Sequence, residues 1–287
     1  MTHAKRLREL LAGRELIVAP GVYDGISAAL VGKLGFPAAY MTGAGVCASA
    51  YGLPDIGLLT LSEMAERARV LVGLLDVPLI ADADTGYGSP INVVRTVREY
   101  ERAGVAAIQL EDQVFPKRCG HLAGKDVIDI EQFALALQAA IEARQDPDTV
   151  IIARTDARAP LGIEEAIRRA NRYAQVGADV IFVEAPQSLE EIEQIAAEVD
   201  APLLLNVVPG GRTPEIAQAR LAELGYRIAI HPGVALAAVV PAAIEALGKL
   251  RETTPSLSDA VSPESFFDLF GLSAWTQLGQ RYDSRKQ

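Results

Sequence analysis

The sequence predicts a (β/α)8 barrel of the TIM type, built as a single domain over residues 1–287. Short, almost continuously apolar runs alternate eight times with longer stretches of helical periodicity. Such runs are typical of parallel strands that are buried on both faces. Eight strand–helix units in one chain of this length match the barrel, and an open doubly wound sheet is the alternative topology.

The predicted strands and helices follow one another in chain order. The strands are LIVAP (16–20), AAYMTG (38–43), VPLIADAD (77–84), VAAIQLED (105–112), VIIARTD (150–156), DVIFVEA (179–185), PLLLNVV (202–208) and RIAIHPG (227–233). Between them, IEEAIRRANRYAQVGA (163–178) spaces its apolar residues three and four apart, as one face of a helix requires. Several helices give way to the next strand at a glycine, which tolerates the left-handed conformation that ends a helix. These glycines are Gly35, Gly104, Gly177 and Gly225.

A C-terminal segment, about residues 255–287, extends the predicted barrel. It contains PESFFDLFGLSAWTQLGQRYD (263–283), which is rich in aromatic residues and helical in pattern, and no strand follows it. An apolar segment of this kind needs a surface to cover, either on its own barrel or on a neighbouring subunit.

Composition narrows the class of protein and its partners. The chain is 50% hydrophobic and 22% charged, which fits a soluble globular protein with a large core. Its formal charge of −10 argues against nucleic acid or an anionic membrane as a partner, but allows a small anionic carboxylate substrate. The uncharged stretches 34–54 and 228–244 are interrupted by glycine and proline, so neither is predicted to span a membrane. Two cysteines and an N-terminus without a secretory segment predict a cytoplasmic protein.

Polar residues gather where the predicted strands end, which is the face that carries chemistry in barrels of this type. In chain order they are Tyr23, Asp24, Thr42, Gly43, Asp82, Asp84, Glu111, Asp112, Arg154, Asp156, Glu184, Asn206 and His231. Nearly every strand therefore ends on a group that can bind a metal ion or an anion.

The carboxylates after the third and fourth strands indicate a metal site. Asp82 and Asp84 are two residues apart, so an extended strand directs both to one face, and Glu111 and Asp112 end the next strand. A cluster of carboxylates without histidine or thiolate suits Mg²⁺, with Mn²⁺ possible. The alternative is that Asp84 begins a turn and Asp82 caps a helix.

Cys119 lies in the loop after the fourth strand, in the motif KRCGH (117–121). A zinc site is excluded, because the motif offers two ligands and the chain has two cysteines and three histidines in all. A nucleophile with His121 as its base is conceivable, but nothing in the sequence orients that histidine. General acid–base work is favoured, with the neighbouring cations and His121 tuning the thiol. The alternative is a loop cysteine without a role.

These motifs resemble one known family. KRCGH, with DADTGYG (82–88) before it and ARTDA (153–157) after it, is similar to the isocitrate lyase/phosphoenolpyruvate mutase superfamily, and to its carbon–carbon lyase branch in particular. The similarity runs from APGVYDGISAAL (19–30) to NVVPGGRTP (206–214). The phosphonopyruvate mutases and hydrolases of this superfamily lack the cysteine motif.

The resemblance implies a barrel with bound Mg²⁺ and a homotetramer in which C-terminal helices are swapped between subunits. It implies that Asp82 and Asp84 bind the metal, and that Glu111 contributes through water. The implied substrate-binding residues are Tyr40, Thr42, Gly43, Ala44, Asp82, Cys119, Gly120, His121, Arg154, Glu184 and Asn206. The implied catalytic residues are Cys119, Arg154 and Glu111, with Cys119 as the acid–base group on a mobile loop.

Departures from the family pattern bear on the substrate. Methylisocitrate lyases place an arginine after the eighth strand, where this chain reads HPGVALAAVV (231–240). A second expected arginine is missing from DAVSPESFFDL (259–269), so a substrate smaller than a tricarboxylate is favoured. The nearest resemblance is to the group of 2,3-dimethylmalate lyase, petal-death-type proteins and carboxyphosphonoenolpyruvate mutase. Those proteins usually carry a glutamate at the position of Pro209.

The sequence thus predicts a Mg²⁺-dependent lyase that cleaves a small 2-hydroxy dicarboxylate of the 2-alkylmalate type. Its products would be pyruvate, or a related 2-oxo acid, and a carboxylate. The alternatives are a phosphonomutase acting on carboxyphosphonoenolpyruvate, an oxaloacetate hydrolase or decarboxylase, and a methylisocitrate lyase. A non-catalytic barrel that binds a dicarboxylate would need the pocket but not the thiol.

Overall fold

Eight parallel strands close into a barrel in the computed structural model, which describes residues 1–252 and 261–283. Each strand pairs with the next along the chain, and the last pairs with the first, with Ile17 opposite Ile228. The strands are β1 (Ile17–Val22), β2 (Ala39–Met41), β3 (Leu79–Asp82), β4 (Ala107–Glu111), β5 (Val150–Thr155), β6 (Val180–Val183), β7 (Leu203–Asn206) and β8 (Tyr226–His231). The predicted barrel is confirmed, and the doubly wound sheet is excluded.

Helices surround the barrel and follow its strands. They are α1 (His3–Ala12), α2 (Gly25–Lys33), α3 (Gly43–Val46), α4 (Leu61–Val72), α5 (Pro90–Ala103), α6 (Ile130–Ala143), α7 (Arg158–Leu161), α8 (Ile163–Val176), α9 (Leu189–Glu198), α10 (Gln218–Glu223), α11 (Val234–Glu252), α12 (Pro263–Asp268) and α13 (Leu272–Arg281). A π-helical turn, Cys47–Tyr51, continues from α3. Among the described helices, none is long and apolar enough to cross a bilayer.

Glycines end two of the helices, as the sequence predicts. Gly104 and Gly177 adopt φ angles of 87° and 109° directly after α5 and α8, and their N–H groups bond back to carbonyls of the last helical turn. A residue with a Cβ atom is disfavoured there, because its side chain crowds the backbone at positive φ. These two glycines thus end each helix just before the next strand begins.

Helix α1 closes the N-terminal end of the barrel. Its Leu7 is fully buried and packs with the apolar side chains that fill the barrel interior, such as Ile152 and Phe182. Arg8 donates to Asp179 over 2.7 Å and to the backbone carbonyl of Thr149 over 3.1 Å, both of which precede barrel strands. Helix α1 therefore covers the end of the barrel at which the strands begin.

The C-terminal segment forms the two short helices α12 and α13, in line with the predicted helical extension. The parts of that prediction at 255–260 and 284–287 lie outside the described residues. Large apolar side chains remain exposed here, with Trp275 at 70% and Tyr282 at 81% exposure. Ile244 and Leu247 of α11 are exposed by 67% and 63%.

Candidate active site

A cavity of about 160 Å³ opens at the carboxyl ends of the strands. Its lining includes ten of the residues predicted for the site, namely Tyr40, Thr42, Ala44, Asp82, Cys119, Gly120, His121, Arg154, Glu184 and Asn206. The other lining residues are Asp55, Lys117, Val208, Pro232, Gly233 and Leu236. Drug-sized ligands occupy pockets of about 300 Å³ or more, so this cavity suits a small substrate.

The turn after β2 brings backbone close to the carboxylates. Thr42 caps α3, because its hydroxyl accepts a hydrogen bond from the N–H of Gly45 over 3.2 Å. The Gly43 N–H donates to Asp82 Oδ2 over 3.3 Å. A Cβ atom at position 43 would lie 2.7 Å from that same oxygen, so only glycine permits this approach. Gly43 thus lies behind the cavity wall and orients Asp82.

Asp82 and Asp84 are the predicted metal ligands, and their surroundings fit a cation. Asp84 is buried, has a left-handed φ of 47°, and its Oδ1 forms no hydrogen bond of ordinary geometry, although Lys117 Nζ is 2.8 Å away. Burial raises the pKa of Asp84 to about 6, although the nearby ammonium opposes the rise. A buried carboxylate oxygen that has an ion pair but no regular hydrogen bond, beside a second carboxylate, matches the hard donors that Mg²⁺ or Mn²⁺ takes.

Glu111, the third predicted ligand, has protein partners of its own. Its carboxylate accepts from Gln113 Nε2 over 2.9 Å and lies 3.3 Å from Arg154 Nη1. Burial raises its pKa well above the usual range, although Arg154 lowers it. Within residues 1–252 and 261–283, no three His, Cys, Asp or Glu side chains form a ready metal-binding group. The two aspartates would therefore hold the cation directly and water would complete its shell, with Glu111 behind them.

Arg154 supplies positive charge at the floor of the cavity. Its guanidinium donates to both carboxylate oxygens of Asp156, over 2.8 and 3.0 Å, and stacks 5.2 Å above the centre of the Phe182 ring. Asp156 is fully buried and shares one oxygen with Lys125 Nζ over 2.7 Å. Burial raises the pKa of Asp156, but the two cations outweigh it and hold the pKa at about 2. Arg154 is thus a rigid, permanently charged group at the cavity, of the kind that binds carboxylates.

Cys119 lies on the loop after β4, and backbone hydrogen bonds join the two ends of this loop. Gln113 and Val127 form an antiparallel bridge, and the Val114 N–H donates to the carbonyl of Asp126 over 2.9 Å. Within the loop, the Gln113 amide donates to the Arg118 carbonyl and accepts from its N–H. The N–H of Cys119 then donates to the carbonyl of Asp55 over 3.1 Å. These bonds hold the half-buried thiol at the cavity.

The flanking cations do not tune the thiol as the sequence predicts. Lys117 points away into an ion pair with Asp55, at 2.5 Å, and with Asp84, and Arg118 is exposed to solvent. Burial raises the pKa of Cys119, and a backbone hydrogen bond from His121 and the charge of Arg154 only moderate the rise. The raised pKa favours the protonated form of Cys119, which suits an acid better than a nucleophile.

His121 and Glu184 form the wall beside the thiol. The His121 Nδ1 atom accepts from the Arg212 N–H over 3.1 Å, so its Nε2 carries the proton and faces Glu184 Oε1 at 3.3 Å. Burial lowers the pKa of His121, which favours the neutral ring. Asn206 donates from Nδ2 to the same carboxylate at 3.2 and 3.3 Å. Ala185, directly after Glu184, has a strained φ of 55°, as occurs where function fixes the backbone.

Two polar residues of the site are missing from the sequence-based predictions. Asp55, in the loop after β2, pairs with Lys117, and Lys125 is buried between Gly120 and Asp156. Their signals in the sequence are weak: an aspartate in a glycine- and proline-containing loop, and a lysine a few residues after KRCGH. Neither reveals which distant partner it meets.

One wall of the cavity is apolar. It consists of Val208 after β7, and of Pro232, Gly233 and Leu236 after β8. The region where a further arginine was expected, 231–240, therefore presents aliphatic carbon to the cavity. Such a wall accepts alkyl groups and offers no partner to another carboxylate.

Known proteins match this chain over nearly all its length. Residues 7–251 match the family model described as phosphoenolpyruvate phosphomutase. The chain is 45% identical to 2,3-dimethylmalate lyase of Eubacterium barkeri, covering 98% of this chain and 99% of that protein. It is 46% identical to 2-methylisocitrate lyase of Aeropyrum pernix, covering 92% and 86%.

Solved structures agree in fold. A structure of oxaloacetate acetylhydrolase in complex with the inhibitor 3,3-difluorooxalacetate matches with a TM-score of 0.92 and 42% identity, covering 97% of this chain and 96% of that one. The predicted family is confirmed by these matches. The chain belongs to the isocitrate lyase/phosphoenolpyruvate mutase superfamily of enzymes, among its lyases.

Proposed function

We propose that this protein is a Mg²⁺-dependent carbon–carbon lyase that cleaves a 2-hydroxy dicarboxylate of the 2-alkylmalate type. One observation carries the proposal: a thiol, a fixed guanidinium and the carboxylate of Asp82 line the same small cavity as a set of apolar side chains. The relatives that act on 2,3-dimethylmalate and 2-methylisocitrate support the reaction class. The apolar wall favours the smaller, alkylated dicarboxylate.

The residues of the candidate site have separate roles in the proposed bond cleavage. Arg154 binds the carboxylate on C2. Asp82 and Asp84 would hold the cation, which would act as a Lewis acid toward the substrate when bound. Glu184 accepts the C2 hydroxyl proton, and the C2–C3 electron pair moves onto C3 as the carbonyl forms. The adjacent carboxylate of the leaving group spreads this charge. Cys119 then gives its proton to C3, which completes a 2-oxo acid and a carboxylic acid.

The assay that tests the proposal follows 2-oxo acid release over a panel of 2-alkylmalates, 2-methylisocitrate and oxaloacetate, with Mg²⁺. We expect the alkylmalates to be cleaved with the highest kcat/KM, and no cleavage after treatment with a chelator. Proton NMR of the mixture identifies the second product. If no dicarboxylate is turned over with any divalent cation, the protein is a binding module and the proposal fails.

Oxaloacetate hydrolysis is a second candidate. The likeness to oxaloacetate acetylhydrolase supports it, because oxaloacetate is also a small dicarboxylate. The same panel separates the two functions, since hydrolysis of oxaloacetate releases acetate and oxalate rather than a longer 2-oxo acid. A phosphonomutase would instead convert carboxyphosphonoenolpyruvate into a 2-oxo acid that carries a new P–C bond, which ³¹P NMR detects.

We also propose a cytoplasmic homotetramer with swapped C-terminal helices. The exposed apolar side chains of α11 and α13 support it, since contiguous apolar surface on a soluble protein marks an interaction site. Two free cysteines fit a reducing compartment. Sedimentation equilibrium gives the mass in solution, and a monomer at micromolar concentration would contradict the assembly.

A further inference from the structure

A buried ion pair lies beside the candidate site without lining its cavity. Asp112, directly after β4, is fully buried, and Arg169 of α8 is 5% exposed. Arg169 Nη1 donates to Asp112 Oδ2 over 3.1 Å. Two charges lose their hydration when they are buried, and the attraction between them often only balances that loss. Stability alone is therefore a weak reason for this ion pair, and its other contacts indicate a second one.

Asp112 fixes the end of β5. Its Oδ1 atom accepts from the backbone N–H of Asp156 over 2.9 Å, and its Oδ2 atom accepts from the Thr155 hydroxyl over 2.8 Å. The N–H of Asp112 donates to the carbonyl of Arg154 over 3.3 Å. The Asp156 carboxylate in turn accepts both hydrogen bonds of the Arg154 guanidinium. Asp112 therefore holds the strand end that carries this guanidinium.

Arg169 contacts the end of the Cys119 loop. Its Nη1 atom, which pairs with Asp112, also donates to the carbonyl of Ile128 over 2.8 Å. The N–H of Ile128 donates to the carbonyl of Asp112 over 2.9 Å. Ile128 directly follows Val127, whose bridge to Gln113 joins the two ends of the loop. The ion pair therefore binds the residue at which the loop ends through both its N–H and its C=O group.

We propose that Arg169 is a positioning residue that acts on Cys119 by holding the end of its loop against the strand end that carries Arg154. The Nη1 atom bridges the Ile128 carbonyl and the Asp112 carboxylate, so one side chain joins the loop to the strand end. The thiol and the Arg154 guanidinium both line the cavity. Their placement relative to each other therefore depends on this junction.

Neighbours on α8 keep the bridge in place. Glu165, one turn before Arg169, accepts a hydrogen bond from its Nε atom over 2.9 Å. A guanidinium presents its donors in a fixed fork, so this contact also sets the direction of Nη1. Tyr173, one turn after Arg169, donates its hydroxyl to Asp112 Oδ2 over 2.9 Å. The Asp112 carboxylate thus accepts four hydrogen bonds in all and has little freedom to move.

Alkylation of the thiol tests the proposal without any need for turnover. Iodoacetamide reacts with the thiolate, and Cys119 is half-buried at the cavity, which slows the reaction. We expect Arg169→Met to free the end of the loop, so that Cys119 is exposed more often and is alkylated roughly threefold to tenfold faster. Peptide mass spectrometry assigns the label. Cys47 should stay unlabelled, because burial raises its pKa to about 12.

Arg172→Met is the matched control. Arg172 lies three residues after Arg169 on the same helix and pairs with Glu131, at the start of α6, over 2.7 and 2.8 Å. That ion pair is exposed to solvent, and we expect the parental alkylation rate. An equal increase in both variants would mean that any loss of charge on α8 loosens the loop. An unchanged rate in folded Arg169→Met would mean that this arginine does not hold the thiol. Either result overturns the proposal.

The inference deepens the proposed function and rests on it for one catalytic consequence. In Arg169→Met, Asp112 keeps its hydrogen bond from the Asp156 N–H, so Arg154 should still bind the substrate and KM should change little. Proton donation by a displaced Cys119 should lower kcat roughly tenfold. A residue that only stabilises the fold would lower Tm and leave kcat unchanged well below Tm, and that result would overturn the positioning role. If the parent cleaves no dicarboxylate, the alkylation rates still decide whether Arg169 holds the thiol, so the two failures can be told apart.

Arg169→Lys covers the case in which the methionine variant does not fold, as judged by circular dichroism. Lysine keeps the positive charge, but its ammonium ends one bond short of the Nη1 position and lacks the fork that meets Ile128 and Asp112 together. We expect a smaller increase in the alkylation rate of Cys119, in the same direction. A parental rate in folded Arg169→Lys would show that charge alone is sufficient, and it would overturn the bridging role of the guanidinium.

Discussion

Asp84 and Lys117 face each other inside the protein, with 2.8 Å between carboxylate Oδ1 and ammonium Nζ. The same ammonium also pairs with Asp55 at 2.5 Å, and Asp82 lies within the same electrostatic field. One lysine is therefore paired with two carboxylates, and a third, Asp82, lies nearby without an ion pair to it. Buried negative charge of this kind is unfavourable unless a cation balances it, and a divalent ion held by Asp82 and Asp84 would do so.

Metal binding should consequently stabilise the protein as well as activate it. We expect Mg²⁺ at a hundred times its Kd to add about 2.7 kcal/mol to the free energy of unfolding, measured as a rise in Tm. Asp82→Asn should abolish both that rise and turnover, because it removes one of the two direct ligands. Asp126→Asn, on the exposed part of the Cys119 loop, serves as the control and should behave like the parent. Full activity in rigorously metal-free buffer would remove the metal from the mechanism.

Cys119→Ser should cripple proton transfer while leaving the fold intact. Serine has a similar shape but a far higher pKa, and acid–base groups contribute about 10²–10⁴-fold to rate. We expect a loss of that order in kcat with little change in KM, because the thiol acts only after the substrate is bound. Alkylation by iodoacetamide should inactivate the free enzyme, and a bound dicarboxylate should protect it.

Cys47→Ser is the control for the thiol, since Cys47 is buried and does not line the cavity. It should retain parental kcat. A Cys119→Ser enzyme with more than about a third of parental kcat would return that cysteine to an ordinary loop residue.

The apolar wall makes a prediction about specificity. The parent should prefer a 2-alkylmalate or oxaloacetate over 2-methylisocitrate, because the third carboxylate has no cation to meet at Leu236. One lost charge-assisted contact is worth about 1.5–3 kcal/mol, or roughly tenfold to a hundredfold in kcat/KM. Leu236→Arg should shift the ratio of the two kcat/KM values toward the tricarboxylate.

Leu236→Met is the matched control, as it changes the shape of the wall but adds no charge. Its ratio of kcat/KM for the tricarboxylate to kcat/KM for the 2-alkylmalate should stay close to that of the parent. If the parent already cleaves 2-methylisocitrate best by such a margin, another cation must supply the contact, and Arg212 in the neighbouring loop would be the first to examine.

The strand ends were predictable, and most of the pairings around them were not. A parallel strand buried on both faces is apolar throughout, so Asp82 and Arg154 stand out where their strands stop. The partners of loop residues depend instead on how each loop folds back. Lys117 meets Asp55 across 62 residues, and Lys125 meets Asp156 across 31. No spacing or periodicity encodes such contacts. For this reason the sequence wrongly suggested that the two cations of KRCGH, Lys117 and Arg118, tune the thiol.

Asp156 should be the residue on which the stability of the site depends most. Asp156→Asn leaves the buried cations Arg154 and Lys125 without their shared carboxylate, and breaking a buried pair in this way costs about 3–5 kcal/mol. The pKa of Asp156 lies at about 2 in the folded protein, below the ordinary value of 3.8. A carboxyl group with a depressed pKa stabilises the fold fully above its unfolded pKa, and this contribution is lost as the pH falls from about 4 toward 2. Urea unfolding of parent and variant should therefore show a constant gap in the free energy of unfolding from pH 5 to 7, and the gap should narrow below pH 4. A gap that stays constant down to pH 2 would show that the lost stability comes from packing at position 156 rather than from its charge.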